Sequence, residues 1–439
     1  MDLFITDLTL KKTGFCSRAL VSALLSWGCQ AYTAVNPEAA ALGAQFFVEA
    51  KAQLIKEAHI NTLTAVSALE LLSMTCVTHG RDDAALWYLE QGIRTGKNMG
   101  IFDVHAEKVL SPNDVFPTRA KEWRIAASYT GWGVFNWACI YGLHYQRCEI
   151  KIPPLHSLPG QVAVEPPYTS NPTQERNIEI FDASCKLWTI FSEVLSVYYA
   201  QNGKPTFSQQ SSLEFAEKIY RRLLCWAAQL PMSLVRSPES SHAVLMLHVY
   251  FHAIITDVFR PFSLISNRLL RLSSFESPQA TPESAYAGSI NQLKRLLLVY
   301  RLNFKTATLS VLWQTGLVYV ANAMVRDTRE SSNERRYYIF LCLAGLEDLS
   351  VNFRVFGTIA KGLLGMALKC GAVKKREAKR IIHELSEVAT LHKAVEQLED
   401  DKIVANWIID LDLALNDTEA ASGTRLEEQF GRMISDDGI

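Results

Sequence analysis

The sequence predicts an all-α fold, a multi-helix array of antiparallel helical hairpins that forms one large domain with a proline-rich internal loop. Apolar side chains recur at steps of three and four along most of the chain, as they do on the buried face of a helix. The alternation of apolar and polar residues that marks strands is scarce. Prolines crowd residues 149–173, and at that density they exclude a continuous helix.

The clearest predicted hairpin lies in residues 62–100. Small and apolar residues at steps of three and four, starting at Ala65, place one row on one helical face, and a second row starts at Leu86. The second helix is expected to end near Lys97, because a cation is favoured at the negative end of the helix dipole, with Gly100 as its cap. Residues 79–83 predict the tight turn that joins the two helices.

The remaining chain is divided by its prolines and by its polar end. Residues 1–148 are expected to form an N-terminal helical part, and residues 149–173 a proline-rich loop. Residues 174–400 are expected to form a C-terminal helical part of the same domain. A C-terminal helix and an acidic tail are expected in residues 401–439, with fraying of the polar end after residue 416.

Composition limits the classes of protein. The 439 residues are 49% hydrophobic and 20% charged, which is typical of a globular chain, and the formal net charge is -1. A neutral chain has no general attraction to nucleic acid, so we expect no direct DNA binding by it. The nine cysteines include no C-x₂-C pair, which indicates reduced thiols rather than disulfides or a zinc site. Residues 125–146 and 306–325 lack charge, but their polar side chains favour buried helices over membrane spans.

Four short motifs occur in order along residues 15–262. The first is FCSRALVSALL, which starts at Phe15, and the second combines ALWY, GIR and NMGI before residue 102. The third combines WGVFN, YQR and IKIP, and the fourth combines LHVYFH and FRPF. Together these motifs resemble the middle homology region of fungal zinc-cluster transcription factors, with weaker similarity continuing to residue 370. Cys148 departs from that pattern, since the family usually has proline there.

The resemblance implies a regulatory domain that acts in the nucleus. The six-cysteine cluster that precedes this region in the family is not found in the sequence, so DNA binding is not carried over to any residue. The implied partners are a DNA-bound transcription factor or the transcription machinery, together with a small-molecule effector. A homo- or hetero-dimer is compatible with this interpretation. The implied targets are the genes of a metabolic or secondary-metabolite cluster.

A different interpretation is a helical ligand-binding protein or enzyme that reuses the scaffold, because a fold does not establish a function. The sequence contains no G-x-S-x-G elbow, no P-loop and no G-x-G-x-x-G after a strand. We therefore expect no catalytic residues, no cofactor and no enzyme. Turnover of a metabolite that is lost in His248→Ala or Arg260→Ala would favour the alternative.

Five residues of the matching motifs are candidates for the lining of an effector pocket. The alternative is that they are structural, because buried polar groups need partners whether or not a ligand binds. The two histidines are four residues apart on one helix, a spacing that suits a metal, but no H-E-x-x-H motif is present and we expect no metal site. The candidates are Trp132, Arg147, His248, His252 and Arg260.

The most basic run of the chain is a candidate nuclear-import signal. The same run is compatible with the solvent-facing side of a helix, where Glu377 provides local ion pairs. The sequence leaves both interpretations open. The basic residues are Lys374, Lys375, Arg376, Lys379 and Arg380.

Overall fold

The computed structural model is all-helical, as the sequence predicts. It describes residues 2–57, 61–102, 119–161, 172–199, 212–263, 270–305, 310–326, 332–396 and 403–435. These residues form fifteen α-helices and no strand; one isolated β-bridge joins Ile408 to Ser422.

The chain forms two compact units, each assembled from several segments. Unit 1 contains residues 1–143, 148–192 and 394–401; unit 2 contains residues 144–147, 193–393 and 402–439. Because neither unit is one continuous stretch, the predicted boundaries at residues 148, 173 and 400 stay predictions. The first seven helices are α1 Asp2–Thr9, α2 Arg18–Tyr32, α3 Glu38–Glu57, α4 Leu63–His79, α5 Asp82–Asn98, α6 Lys121–Tyr145 and α7 Pro172–Tyr198.

The remaining helices belong to unit 2, apart from the end of the long α14. They are α8 Leu213–Ala228, α9 His242–Ser263, α10 Pro282–Asn303, α11 Gln314–Arg326, α12 Ser332–Ser350, α13 Val355–Lys369, α14 Lys375–Glu396 and α15 Gly423–Ser435.

The predicted hairpin of residues 62–100 is present in unit 1 as α4 and α5. Thr62 caps α4 by accepting a hydrogen bond from the backbone N–H of Ala65, at 3.1 Å. Gly80 ends the helix in the left-handed region, with φ of 72°, which a glycine adopts without strain. The hydroxyl of Ser73 donates to the carbonyl oxygen of Ala85, at 2.9 Å, and this bond ties the two helices together.

Unit 2 is built around α9, most of whose residues are buried. The helix packs against α8, α10 and α11. Within the described part of the chain it alone is long and apolar enough to cross a membrane, and 78% of its most apolar 18-residue window is buried inside the protein. A core helix of a globular protein passes the same test of length and composition.

The polar end of the chain does not fray where the sequence suggested. Helix α15 packs on α13, and Leu426 and Phe430 are buried. Gly362 and Gly365 of α13 leave room for this contact, because a Cβ atom at either position would approach Leu426 or Phe430 to within 3.2 Å. The expectation of fraying after residue 416 is therefore wrong for residues 416–435, and residues 436–439 lie outside the described chain.

The proline-rich stretch is irregular where it is described. Residues 149–161 contain one short 3₁₀ turn, Pro159–Gln161, and α7 begins at Pro172. Proline suits this first position of a helix, because its missing N–H has no partner there in any case. Residues 162–171 of the predicted loop lie outside the described residues.

Candidate functional site

A buried ion-pair network lies in unit 2, and Arg260 is at its centre. The residue stands in the last turn of α9, and only 2% of it is exposed. Its Nη1 donates a hydrogen bond to Oδ1 of Asp412, at 3.1 Å. Its Nε lies 3.5 Å from Oδ1 of Asp257, which precedes it by one turn on the same helix. Burying a cation costs several kcal/mol unless it is paired, so these two carboxylates stabilise the buried guanidinium.

Asp257 is held by a second partner. The hydroxyl of Tyr319, on α11, donates to its Oδ2 at 2.6 Å. Burial raises the pKa of Asp257 to about 6, and Arg260 and Tyr319 act in the opposite direction because both favour the carboxylate. This carboxyl is therefore mainly ionised at neutral pH and completes the ion pair.

A second arginine meets the first at Asp412. The Nε of Arg326, at the end of α11, lies 3.4 Å from Oδ2 of Asp412, and its Nη2 donates to the carbonyl oxygen of Ser263 at 3.1 Å. The ring of Tyr286 lies within cation–π distance of both guanidinium groups, 5.6 Å from Arg260 and 5.8 Å from Arg326. One carboxylate and one aromatic ring thus hold two cations together.

Asp412 ends a non-helical segment that we call the C-terminal strap, residues 405–412, whose last two residues form a turn. Asn322 of α11 binds the backbone of the strap through both the nitrogen and the oxygen of its side-chain amide. Its Nδ2 donates to the carbonyl oxygen of Ile409 at 2.6 Å, and its Oδ1 accepts from the N–H of Leu411 at 3.0 Å. A buried asparagine therefore satisfies backbone groups that a neighbouring strand would satisfy in a sheet.

The other end of the strap packs on His144. The ring of Trp407 lies 4.5 Å from the ring of His144, and the N–H of Ile408 donates to the carbonyl oxygen of His144 at 2.9 Å. Nε2 of His144 lies 2.8 Å from the amide nitrogen of Gln314, which places the histidine nitrogen as acceptor. Burial lowers the pKa of His144 to about 3, so this histidine is neutral.

The two histidines of α9 are bound to protein atoms. Nε2 of His248 lies 3.0 Å from the carbonyl oxygen of Leu234, and Nδ1 of His252 lies 3.5 Å from the hydroxyl oxygen of Ser289. Burial lowers the pKa of both, that of His252 to about 3. In the described ranges, no three His, Cys, Asp or Glu side chains gather closely enough to hold a metal ion.

Trp132 and Arg147 have surroundings of their own. Nε1 of Trp132 donates to the carbonyl oxygen of His156 at 3.2 Å, inside unit 1. Arg147 is half-buried and follows Gln146, whose φ of 52° marks a sharp turn at the end of α6. Trp132, the two histidines and Arg260 each have different hydrogen-bond partners. Their predicted role in an effector pocket stays a prediction.

The basic run begins α14, and all five of its cationic side chains are exposed. Glu377 lies within this run. Its carboxylate receives a bond from Nη2 of Arg336 at 2.8 Å and from the backbone N–H of Lys374 at 2.8 Å. The hydrogen bond from Arg336 holds the pKa of Glu377 below its ordinary value. Positive charges at a helix N-terminus oppose the dipole, so this arrangement does not serve helix stability.

Unit 1 contains a polar seam of a different kind between α4 and α6. Nε1 of Trp137 donates to the hydroxyl oxygen of Ser73 at 3.1 Å. One turn away, the carboxyl of Glu70 lies over Gly133, where an added Cβ would be 3.7 Å from both oxygens. Burial alone raises the pKa of Glu70 to about 8. The seam consists of Ser67, Glu70 and Ser73 on α4 with Thr130, Gly133 and Trp137 on α6.

Sequence similarity supports a transcription regulator of the fungal type. The chain is 27% identical over 336 residues to the notoamide biosynthesis transcriptional activator notL' of Aspergillus versicolor, a match that covers 69% of this chain and 50% of that protein. It is 24% identical over 322 residues to the nitrogen assimilation transcription factor nit-4 of Neurospora crassa, covering 66% of this chain and 27% of that protein.

A third relative has the same character. The chain is 24% identical over 305 residues to the nitrogen assimilation transcription factor nirA of Emericella nidulans, covering 64% of this chain and 33% of the relative. The matched region thus spans half or less of the length of each of these three proteins. They are transcription factors, not enzymes. No family profile matches the chain, and no solved structure matches it.

Proposed function

We propose that the chain is the regulatory domain of a fungal zinc-cluster-type transcription system, and that it controls transcription through protein contacts rather than through its own contact with DNA. The observation that carries this proposal is the similarity over about two thirds of the chain to three fungal transcription factors. The net charge of -1 supports the second part, because affinity for DNA depends on neutralising phosphates.

The site of action is the nucleus, and the basic run at the start of α14 is the import signal. Its five exposed cations face solvent, as recognition by an import receptor requires. Cations at a helix N-terminus do not stabilise the helix, so their position also favours a functional role for them over a structural one.

The regulatory signal acts through unit 2. Its ion-pair network joins α9, α11 and the C-terminal strap, three parts of the chain that are far apart in sequence. A network of this kind has discrete paired and unpaired states, so a ligand that prefers one state shifts the equilibrium between two packings.

The controlled genes belong to metabolism. One relative is an activator of notoamide biosynthesis and two are nitrogen assimilation factors. We extend this class, and not any particular pathway, to the present chain. Its protein partner is a DNA-bound transcription factor or the transcription machinery.

A tethered reporter in a filamentous fungus tests the proposal. The full chain is fused to a heterologous DNA-binding domain whose operator precedes a reporter gene. We expect the fusion to change reporter output about fivefold relative to the DNA-binding domain alone. The control is Phe356→Asp, which places a charge in the core of unit 2 and abolishes the effect. Output equal to that of the DNA-binding domain alone, with full-length fusion present in the nucleus, contradicts the proposal.

A further inference from the structure

The buried guanidinium of Arg260 has more donors than acceptors. Nη1 binds Asp412, and Nε is close to Asp257 without making a hydrogen bond. Among the described residues, Nη2 of Arg260 has no hydrogen-bond partner although it is buried. An unsatisfied buried donor of a charged group is costly, so an acceptor at this position would stabilise the protein.

A second buried donor stands beside it. The hydroxyl of Tyr286, on α10, also lacks a hydrogen-bond partner within the described chain. The pKa of Arg260 lies above its ordinary value: burial lowers it, and Tyr286, Asp412 and Asp257 together raise it more. The ring centre of Tyr286 lies 5.6 Å from the carbon of this guanidinium. An unsatisfied donor on each of two neighbouring side chains indicates a place for an oxygen acceptor.

The carboxylate of Asp412 is the replaceable member of the network. Its side chain is 22% exposed and that of Arg326 is 28% exposed, whereas only 3% of the Arg260 side chain is exposed. Asp412 makes two contacts with Arg326, each at 3.4 Å, but only one with Arg260, instead of the two parallel bonds that a guanidinium forms with a well-oriented carboxylate. A free carboxylate that binds both Nη1 and Nη2 of Arg260 therefore makes one more hydrogen bond to this guanidinium than Asp412 makes.

We propose that Arg260, Arg326 and Tyr286 form a binding site for a small organic carboxylate, which takes the place of the Asp412 carboxylate and so loosens the C-terminal strap. The ligand carboxylate accepts two bonds from Arg260, through Nη1 and the unsatisfied Nη2, and one from the Tyr286 hydroxyl. This inference deepens the proposed function and rests on it only for its consequence in transcription.

The charge of the site selects this class of ligand. Exchange of one carboxylate for another leaves the local charge unchanged. A phosphate would bring up to two negative charges next to Asp257. A neutral amide would leave Arg326 without a counter-charge, and Arg260 with Asp257 alone, once Asp412 departs. The ring of Tyr286, 5.6 Å from the Arg260 guanidinium, offers an apolar surface for the body of the ligand.

Loosening begins at one end of the strap. Asp412 precedes the short 3₁₀ turn Leu413–Leu415, and it is the strap residue that both arginines contact. The next anchors are Asn322, which holds the amide of Leu411, and then His144, so release of Asp412 exposes the backbone amides of residues 412–416 first. This order makes the exchange of those amides the direct measure of ligand binding.

Hydrogen exchange followed by mass spectrometry on the full chain tests the inference. The probes are benzoate and succinate at about 10 mM, with benzamide and succinamide as neutral matches and inorganic phosphate as the other anion, all at one ionic strength. We expect the carboxylates to speed exchange in peptides spanning residues 408–416 about fivefold, and the amides and phosphate to have no effect.

Three variants give the controls. In Asp412→Asn, the peptides spanning residues 408–416 are expected to exchange faster than in the wild type even without a probe. Adding a carboxylate is expected to cause no further increase. Arg326→Gln, at a less buried position, is expected to keep the fold by circular dichroism and lose the response. Glu427→Gln breaks a pair with Lys361 outside the network and is expected to respond as the wild type does.

Two results overturn the inference. One is unchanged exchange with both carboxylates while Asp412→Asn opens the same peptides. The other is an equal response to the amides. Hydrogen exchange is measured on the purified chain, so its result does not depend on the reporter assay. A negative reporter result would contradict the proposed function without contradicting the carboxylate site.

Discussion

Two carboxyl groups with raised pKa values, one in each unit, differ in what surrounds them. Glu70 in unit 1 lies over a glycine, and burial alone raises its pKa to about 8. Asp257 in unit 2 is more fully buried, but Arg260 and Tyr319 hold its pKa at about 6. At neutral pH the seam of unit 1 is therefore protonated and uncharged, whereas the network of unit 2 is ionised.

The difference shows where a signal can act. A neutral seam of hydroxyl groups and one protonated carboxyl offers no counter-ion for a charged ligand to displace. An ionised network with an exposed member can exchange one counter-ion for another. This difference supports the proposal that regulation acts through unit 2.

Arg260→Met gives the largest expected effect. It leaves Asp257 and Asp412 without their shared cation, and we expect a loss of about 3 to 5 kcal/mol in the free energy of unfolding of unit 2. Urea unfolding monitored by tryptophan fluorescence measures it. The matched control is Arg222→Met, which breaks an exposed pair with Glu193 and is expected to cost less than about 1 kcal/mol. Equal losses in the two variants would mean that the buried network does not stabilise unit 2 more than an exposed ion pair does.

Tyr319→Phe removes one hydrogen bond from the ionised Asp257 and keeps the ring. We expect a loss of about 2 kcal/mol in the free energy of unfolding at neutral pH, because the lost acceptor is charged. The pKa of Asp257 is expected to rise above 6 in the variant, so the loss shrinks as the pH falls through that value. Tyr337→Phe, at an exposed position, is the control and is expected to change nothing. A loss that does not depend on pH would contradict an ionised Asp257.

Glu70→Gln tests the neutral seam through its pH dependence. The pKa of Glu70 is about 8 in the folded chain and near 4.5 when unfolded, so the folded state holds the extra proton between these values. The stability contributed by that proton is complete below pH 4.5 and is lost as the pH rises towards 8. We expect the wild type to gain about 3 kcal/mol over the variant between pH 8 and pH 5. Parallel curves in urea unfolding at the two pH values would mean that Glu70 is ionised.

Neutralising the basic run is expected to change stability least. Lys374→Gln, Lys375→Gln and Arg376→Gln together should shift the free energy of unfolding by less than about 0.5 kcal/mol, since the side chains are exposed. The nuclear-to-cytoplasmic ratio of a fluorescent fusion is expected to fall about fivefold. The control pair is Lys218→Gln with Arg221→Gln, exposed on α8. An unchanged nuclear-to-cytoplasmic ratio would mean that the basic run is the solvent-facing side of a helix and not an import signal.

Local patterns explain which elements the sequence predicts. The α4–α5 hairpin is predictable because its apolar rows, its Thr62 cap and its Gly80 turn act within a few residues of each other. The packing of α15 was also visible in principle. Its apolar residues at 426, 430 and 433 form a helical row, which the acidic composition around it obscured.

The candidate site depends on longer separations. Arg260 is noticeable in the sequence because a charged residue in an apolar helix needs a partner, and Asp257 three positions earlier was the available signal. Asp412 is 152 residues away from Arg260, and Asn322 is 87 residues away from Ile409. No periodicity connects residues at such distances, and a non-helical strap of eight residues has no period of its own to detect.

The central claim is that the packing of unit 2 sets transcriptional output. The most direct test compares Asp412→Asn with wild type and with Glu427→Gln in the tethered reporter, at equal protein levels. The account predicts that output in Asp412→Asn differs from wild type by about threefold or more, while Glu427→Gln matches wild type. Equal output from all three proteins, with faster hydrogen exchange of the strap in Asp412→Asn, would contradict it.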